Sequence, residues 1–251
     1  MKHPHDKVYQ SEKIISWDHV DFQTQLKLSG FLNIMQNAAH RHANTLHFGL
    51  SDLEEQSQFW VLSRVLIEIE TYPLVDQSIL VTTWPKGFDR LYALRDFKFT
   101  NSQGQALAQA TSVWLVLDRK THRPVRNLSQ RMPPDKLLNE HAISDIPGKL
   151  PAPKPGNASY FQALYSTIDR NMHVNNTKYI DWVCDSLNQS FFETNHIYRL
   201  QINFNHEMHW HDKLELHQQT TPQNSLLFEG NNPDRNTSIF QAEIWYRLKQ
   251  G

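Results

Sequence analysis

The 251-residue chain contains a single cysteine, Cys184. No disulfide can form within it, and a four-cysteine zinc site is excluded. No apolar run approaches the roughly 18–20 residues of a membrane-spanning helix. Neither sign of charge is in surplus: 25 Lys plus Arg stand against 26 Asp plus Glu, a formal net charge of -1. That balance argues against a general nucleic-acid binder, although it leaves room for a local basic patch. The opening residues Met1-Lys2-His3-Pro4-His5-Asp6 lack the apolar core of a secretory signal, so a cytoplasmic address is expected. Hydrophobic residues at 39% and charged residues at 20% then describe a soluble globular protein, with material for one large or two ordinary domains.

Present instead is an order of elements that occurs twice. Residues 13–20 alternate as a short strand. From Ser29, which can serve as an N-cap, apolar residues fall at helical spacing, with Phe31, Ile34, Met35 and Ala38 on one face and the pattern reaching about Leu46. Strand patterns follow at 59–72, 79–84, 90–100 and 106–117, with Asn101-Ser102-Gln103-Gly104 as a turn between the last two. The segment 121–158 is interrupted by Pro124, Pro133, Pro134, Pro147, Pro151, Pro153 and Pro155, so it reads as an irregular connector with at most a short helix at 135–141. Beyond it a helix begins near Asn176, with Tyr179, Ile180, Val183 and Leu187 on one face. Strand patterns at 198–205, 214–220, 225–229 and 238–248 complete the chain. A helix followed by an antiparallel meander, twice over, predicts an α+β fold with domains at 1–120 and 159–251 joined by a linker at 121–158.

The two halves can be set in register by hand. Asp21 opposite Asp169 puts Gln23 opposite Asn171 and Gln25 opposite His173, and then pairs Ser29 with Thr177, Phe31 with Tyr179, Leu32 with Ile180 and Ile34 with Trp182. The apolar helix positions agree, whereas the polar positions before the helix do not. A second register, matching Asp76 to Asp212, leaves Thr71 opposite Glu207. The expectation is a duplicated fold with one chemically equipped half.

That half holds the leading candidates. Asp169, Asn171 and His173 alternate ahead of a helix start, and on an extended backbone they would face one spot. Free N–H groups at a helix N-terminus, here near Asn175 and Asn176, suit a carbonyl oxygen gaining negative charge. On spacing alone the same residues would serve equally as helix caps and an ordinary histidine.

The run Asp169-x-Asn171-x-His173-Val174-Asn175-Asn176-x-x-Tyr179 closely resembles the signature of acyl-acyl-carrier-protein thioesterases, the plant fatty-acid chain terminators and their bacterial relatives. In the first half, Trp60-Val61-Leu62-Ser63-Arg64, Leu94-Arg95-Asp96-Phe97, Ala110-Thr111-Ser112-Val113-Trp114 and Asp118-Arg119-Lys120-Thr121 resemble strands of the same family. The similarity covers most of residues 10–248. It implies a tandem double hot-dog, each domain an antiparallel sheet wrapped around a central helix. Catalysis would lie in the C-terminal domain, and the N-terminal domain would shape the acyl pocket. The resemblance also supplies Glu207 as a catalytic partner of Asp169, Asn171 and His173. Where many plant members carry cysteine after this Glu, the chain has Met208, and Cys184 lies instead on the following helix pattern as a small apolar residue. Water activated by Glu207 with His173 is therefore the expected nucleophile, with no dissociable cofactor and no metal.

Two further sequence features stay open, as do the alternative functions and the oligomeric state. Glu207, His209 and His211 would share a face of an extended strand at a spacing able to ligate zinc, or else form a solvated cluster in a chain with 14 His. Arg119, Lys120, Arg123, Arg126 and Arg131 are either solvated loop charges or a docking patch for an acidic carrier protein. Acyl-CoA as substrate, or acyl-thioester binding without hydrolysis, are the alternative functions, and a homodimer is left open.

Overall fold

The computed structural model of the protein describes residues 7–154, 156 and 158–249; the Met1–Asp6 segment and Pro155 lie outside the described residues. The chain divides into two compact units, Met1–Pro147 and Gly148–Gly251. The first unit begins with β1 (Tyr9–Ile14), the long helix α1 (Leu28–Thr45) and the short α2 (Leu50–Glu54). Four long strands follow, β2 (Gln58–Ile69), β3 (Ser78–Asp89), β4 (Tyr92–Asn101) and β5 (Ala106–Asp118), and then the one-turn helix α3 (Leu128–Arg131). Its strands pair in the order β1-β3-β4-β5-β2, all antiparallel. Phe31, Leu32 and Met35 of α1 are fully buried, and Phe31 meets Phe99 of β4 edge to face with 5.3 Å between ring centres. Burying each such side chain is worth about 1.5–3 kcal/mol, so the apolar face rather than helix propensity holds α1 on the sheet.

The second unit repeats the plan with β6 (Ala158–Gln162), α4 (Asn176–Asp185), the short α5 (Gln189–Thr194), β7 (Asn195–Phe204), β8 (Lys213–Thr220), β9 (Ser225–Asn232) and β10 (Thr237–Leu248). Its antiparallel order, β6-β8-β9-β10-β7, matches the first strand for strand. Tyr179 of α4 packs against Phe204 and Phe240, and Trp182 stacks on Phe161 at 5.6 Å. The protein is a tandem double hot-dog of the α+β class.

Several sequence expectations need correcting. The first strand is Tyr9–Ile14, not 13–20, because Trp17–His19 closes into a 3-10 turn. Ser29 does not cap α1: Lys27 holds the N-cap position and Ser29 is buried in the first turn. The third strand does not stop before Pro85, since a bulge between Pro85 and Gly87 absorbs the proline and lets β3 continue to Asp89. No α-helix occupies 135–141; only Pro134–Lys136 turns, as a 3-10 element.

The segment expected as a connector is divided between the units. Leu128 and Met132 are buried with Leu46, Phe48, Leu53 and Val116. The chain beyond them is strapped along the first sheet: Leu138 N–H donates to Pro85 O, Trp84 Nε1 to Glu140 O, and Arg64 Nη1 to Pro147 O. From Gly148 onward the ties go to the second unit, where Gln201 and Asn203 both donate to Gly148 O. Beneath the strap, Lys86 and Asp96 form a fully buried ion pair at 3.0 Å, with Lys86 Nζ donating to Ile143 O and Asp96 Oδ2 accepting Ala142 N–H. Arg95, on the same strand as Asp96, donates to His42 Nδ1 of α1 at 2.9 Å, and burial lowers its guanidinium to about 10.

Candidate active site

Ahead of α4 the chain makes a tight hairpin. Asp169 N–H donates to His173 O at 2.8 Å, Met172 N–H to Asp169 O at 3.0 Å, and Ile168 bridges Val174. Met172 takes a positive φ of 64°, and Asp169 Oδ1 accepts the Asn171 N–H at 2.8 Å. This is an Asx-type turn. The extended backbone that would put Asp169, Asn171 and His173 on one side is therefore absent: Asp169 builds the turn, Asn171 is exposed on it, and His173 leaves it on a bridge to His209. The first unit makes the same turn with Asp21, whose Oδ1 accepts Gln23 N–H and whose N–H donates to Gln25 O, with Thr24 at φ 60°. The hand-made register at Asp21 and Asp169 is thus the structural one.

The second register is shifted by one residue. Val174 N–H donates to Met208 O as Leu26 N–H does to Pro73 O, and His211 and Asp76 hold the matching positive-φ positions at 69° and 62°. Gln77 therefore corresponds to Asp212, and Tyr72, not Thr71, to Glu207. Matching two aspartates by identity concealed this, because the turn is fixed by φ and not by side-chain type. His211, turned by its positive φ, does not extend a line through Glu207 and His209.

Glu207 lies in the loop after β7 rather than on a strand, and its Oε2 sits 3.1 Å from His173 Nδ1. Both side chains are partly exposed. The loop is pinned from the β9–β10 turn, where Arg235 Nη2 donates to Glu207 O at 3.3 Å and also to Asp212 Oδ2. Asp212 Oδ2 in turn accepts His209 N–H at 2.7 Å, and the His209 ring meets the His173 ring edge to face at 4.8 Å. Sequence reasoning missed Arg235; no local motif marks it, and only folding brings it 28 positions back to Glu207.

Next to His173 the helix begins. Asn175 is its N-cap: its Oδ1 accepts Thr177 N–H at 2.9 Å and the Thr177 hydroxyl at 2.7 Å, and its own N–H goes to Thr167 O. Its amide is therefore not a donor for substrate, contrary to expectation. The Asn176 amide has no acceptor among the described residues, as befits the first turn of a helix. Tyr179, one turn further, is buried, and its hydroxyl is raised above the ordinary tyrosine range. Burial is the first cause, opposed by the nearby Met208 backbone and reinforced by the charges of Glu207, Asp212 and Asp169; the hydroxyl itself makes no hydrogen bond among the described residues. The loop that carries Glu207 thus rests on a neutral phenol. Cys184 is partly buried eight residues into α4, about 12 Å along the axis from its start.

Residues 6–132 match the acyl-ACP thioesterase N-terminal domain, and residues 152–248 the acyl-ACP thioesterase C-terminal domain. The chain belongs to the acyl-ACP thioesterase family. It is 24% identical over 218 residues to oleoyl-acyl carrier protein thioesterase 2, chloroplastic, of Arabidopsis thaliana, an alignment covering 79% of this chain and 59% of that one. It is 25% identical over 220 residues to the dodecanoyl-[acyl-carrier-protein] hydrolase, chloroplastic, of Cinnamomum camphora, covering 81% and 57%. The chain thus spans under two thirds of the length of these relatives. A solved acyl-ACP thioesterase from Bacteroides thetaiotaomicron superposes with a TM-score of 0.89 at 24% identity, covering 98% of this chain and all of that one.

Within this member of the family, then, the structure brings His173, Glu207 and the Asn176 amide to one end of α4, with Asp169 as the turn that presents them. The basic residues fare unevenly. Arg119 pairs with Glu54 at 3.2 Å and lies over Phe59, and Arg131 donates to Gln58 and Gln56 and lies over Phe48. Lys120, Arg123 and Arg126 are exposed. No described helix is long and apolar enough to cross a membrane.

Proposed function

We propose that the chain hydrolyses the thioester of a fatty acyl chain borne on acyl carrier protein, with catalysis in the second unit and the acyl pocket shaped by the first. The observation that carries this is the 3.1 Å contact between His173 Nδ1 and Glu207 Oε2 beside the start of α4. The names of the relatives support the carrier-bound substrate. In this reading Glu207, steadied by His173, takes a proton from water. The resulting hydroxide attacks the thioester carbon, and the Asn176 amide receives the oxyanion. Collapse of the tetrahedral intermediate breaks the C–S bond, and the proton held on Glu207 passes to the departing sulfur, giving free acid and carrier thiol. Asp169 acts through the turn, and Asn171, exposed beside it, holds the water or the carbonyl of bound substrate.

The carrier's acidic surface would meet Lys120, Arg123 and Arg126, whereas Arg119 and Arg131 have intramolecular work. A cytoplasmic address accompanies this reading, supported by a chain whose single cysteine needs no oxidising compartment. A homodimer belongs to it as well, supported by the exposed Tyr165, Met172 and Trp210, which leave apolar surface to cover. The test of substrate class is hydrolysis of carrier-bound and CoA-bound acyl chains of increasing length. Preference for the carrier form at every length supports the proposal; equal or faster turnover of the CoA form contradicts it.

A further inference from the structure

The hydrolytic reading uses His173 and Glu207 and leaves His209 without a task. One nitrogen from each of His173 and His209 and one oxygen of Glu207 all lie within 4.8 Å of one another. Two imidazoles and a carboxylate form the donor set of zinc sites that keep an open position. Bonds of about 2.0–2.2 Å at tetrahedral angles put neighbouring donors about 3.3–3.5 Å apart. The His173–Glu207 edge, at 3.1 Å, is already close to that spacing and has to open by only about 0.2–0.4 Å. The other edges have to close by at most ~1.5 Å, and that movement falls on Glu207 and His209, whose side chains are half exposed and free to adjust.

Two independent features point the same way. Asp212 stands behind His209, its Oδ2 3.8 Å from Nδ1 and held by Arg235. At that separation the carboxylate makes no hydrogen bond to the ring, but a shift of roughly 1 Å would let Nδ1–H reach it and leave Nε2 as the ligand nitrogen, the usual support of a metal-bound histidine. The first unit, meanwhile, builds the same bridge from Gln25 and Leu74, with Tyr72 in the place of Glu207. The hairpin itself thus requires neither imidazole nor carboxylate there.

We propose that His173, Glu207 and His209 bind a divalent cation of the Zn2+ class, and that its binding silences hydrolysis reversibly. A bound cation occupies the Glu207 oxygen that would receive the proton of water, so the two uses exclude each other. The inhibition rests on the hydrolytic reading; the binding does not.

The test titrates the full chain, freed of metal and chelator, with ZnCl2 by calorimetry and with Co2+ by visible absorption. One ion per chain is expected at this site, with affinity at least about tenfold weaker in His209→Gln and in Glu207→Gln. The two variants separate this site from the other histidines of a chain with 14. Absence of stoichiometric binding, or both variants binding as the wild type does, overturns the proposal. In parallel, ZnCl2 should suppress thioester hydrolysis and EDTA restore it. The half-inhibiting concentration should rise in His209→Gln, measured against that variant's own metal-free rate; a rate that increases with Zn2+ overturns the inhibitory role. Zn2+ binding without any metal-free hydrolysis sinks the hydrolytic reading alone, and hydrolysis without Zn2+ binding sinks this proposal alone.

Discussion

Gln25 and His173 occupy the same place in duplicated hairpins, as do Tyr72 and Glu207, and the backbone hydrogen bonds around them are alike. In the proposed reading, the difference between a catalytic and a non-catalytic unit therefore comes down to side chains on a shared frame. The same reasoning moves Asp169 from the reacting groups to the turn, because Asp21 performs an identical task in the first unit, where neither His nor Glu holds the corresponding places. In the first unit the costly residues are instead Lys86 and Asp96, charged and fully buried under the strap. Asp96→Ala should lower unfolding stability by about 3–5 kcal/mol, because it strands a buried ammonium. The paired change Lys86→Met with Asp96→Leu should cost clearly less, since no ion is left alone. Urea unfolding of the three proteins decides this, and a double variant as unstable as Asp96→Ala would contradict it.

At the scale of elements, the site is a meeting of the 168–174 hairpin, the loop after β7 and the β9–β10 turn. Arg235 joins the last two, holding both the Glu207 carbonyl and the Asp212 carboxylate. Arg235→Ala should lower kcat about 10–100-fold by loosening the Glu207 loop, with KM little changed, and Arg235→Lys should recover part of the loss. Steady-state kinetics of the three forms reads this out; unchanged kcat in Arg235→Ala would remove Arg235 from the account. The helices and most strands were legible in the sequence because Phe31, Met35, Tyr179 and Ile180 fall at helical spacing and turn residues bound the strands. Asp169, Asn171, His173 and Glu207 were legible through a motif. Less so was anything fixed by backbone conformation: the positive φ of Met172 and His211, the bulge at Pro85, and the one-residue error beside Asp212. Arg235 and the strap over Lys86 depend on contacts between positions far apart in sequence, which a one-dimensional pattern does not carry.

For the whole molecule, duplication fits the proposed reading, in which 251 residues carry one catalytic constellation on the second of two like units. In the proposed reading, near-zero net charge with exposed Lys120, Arg123 and Arg126 offers an acidic carrier a local place to dock. Reversing two of these charges to Glu should raise KM for carrier-bound substrate about 3–10-fold at low salt, with less effect at high salt and none on a small thioester. An equal fall in hydrolysis of the small thioester would end the docking idea. The central claim is narrower: the Glu207 carboxylate is the base. It is tested most directly by turnover of a carrier-bound acyl chain in the wild type beside Glu207→Gln, which keeps shape and removes basicity. The account predicts that the variant folds with the same thermal midpoint and is slower by about 10²–10⁴-fold. Near-normal hydrolysis by Glu207→Gln would contradict it.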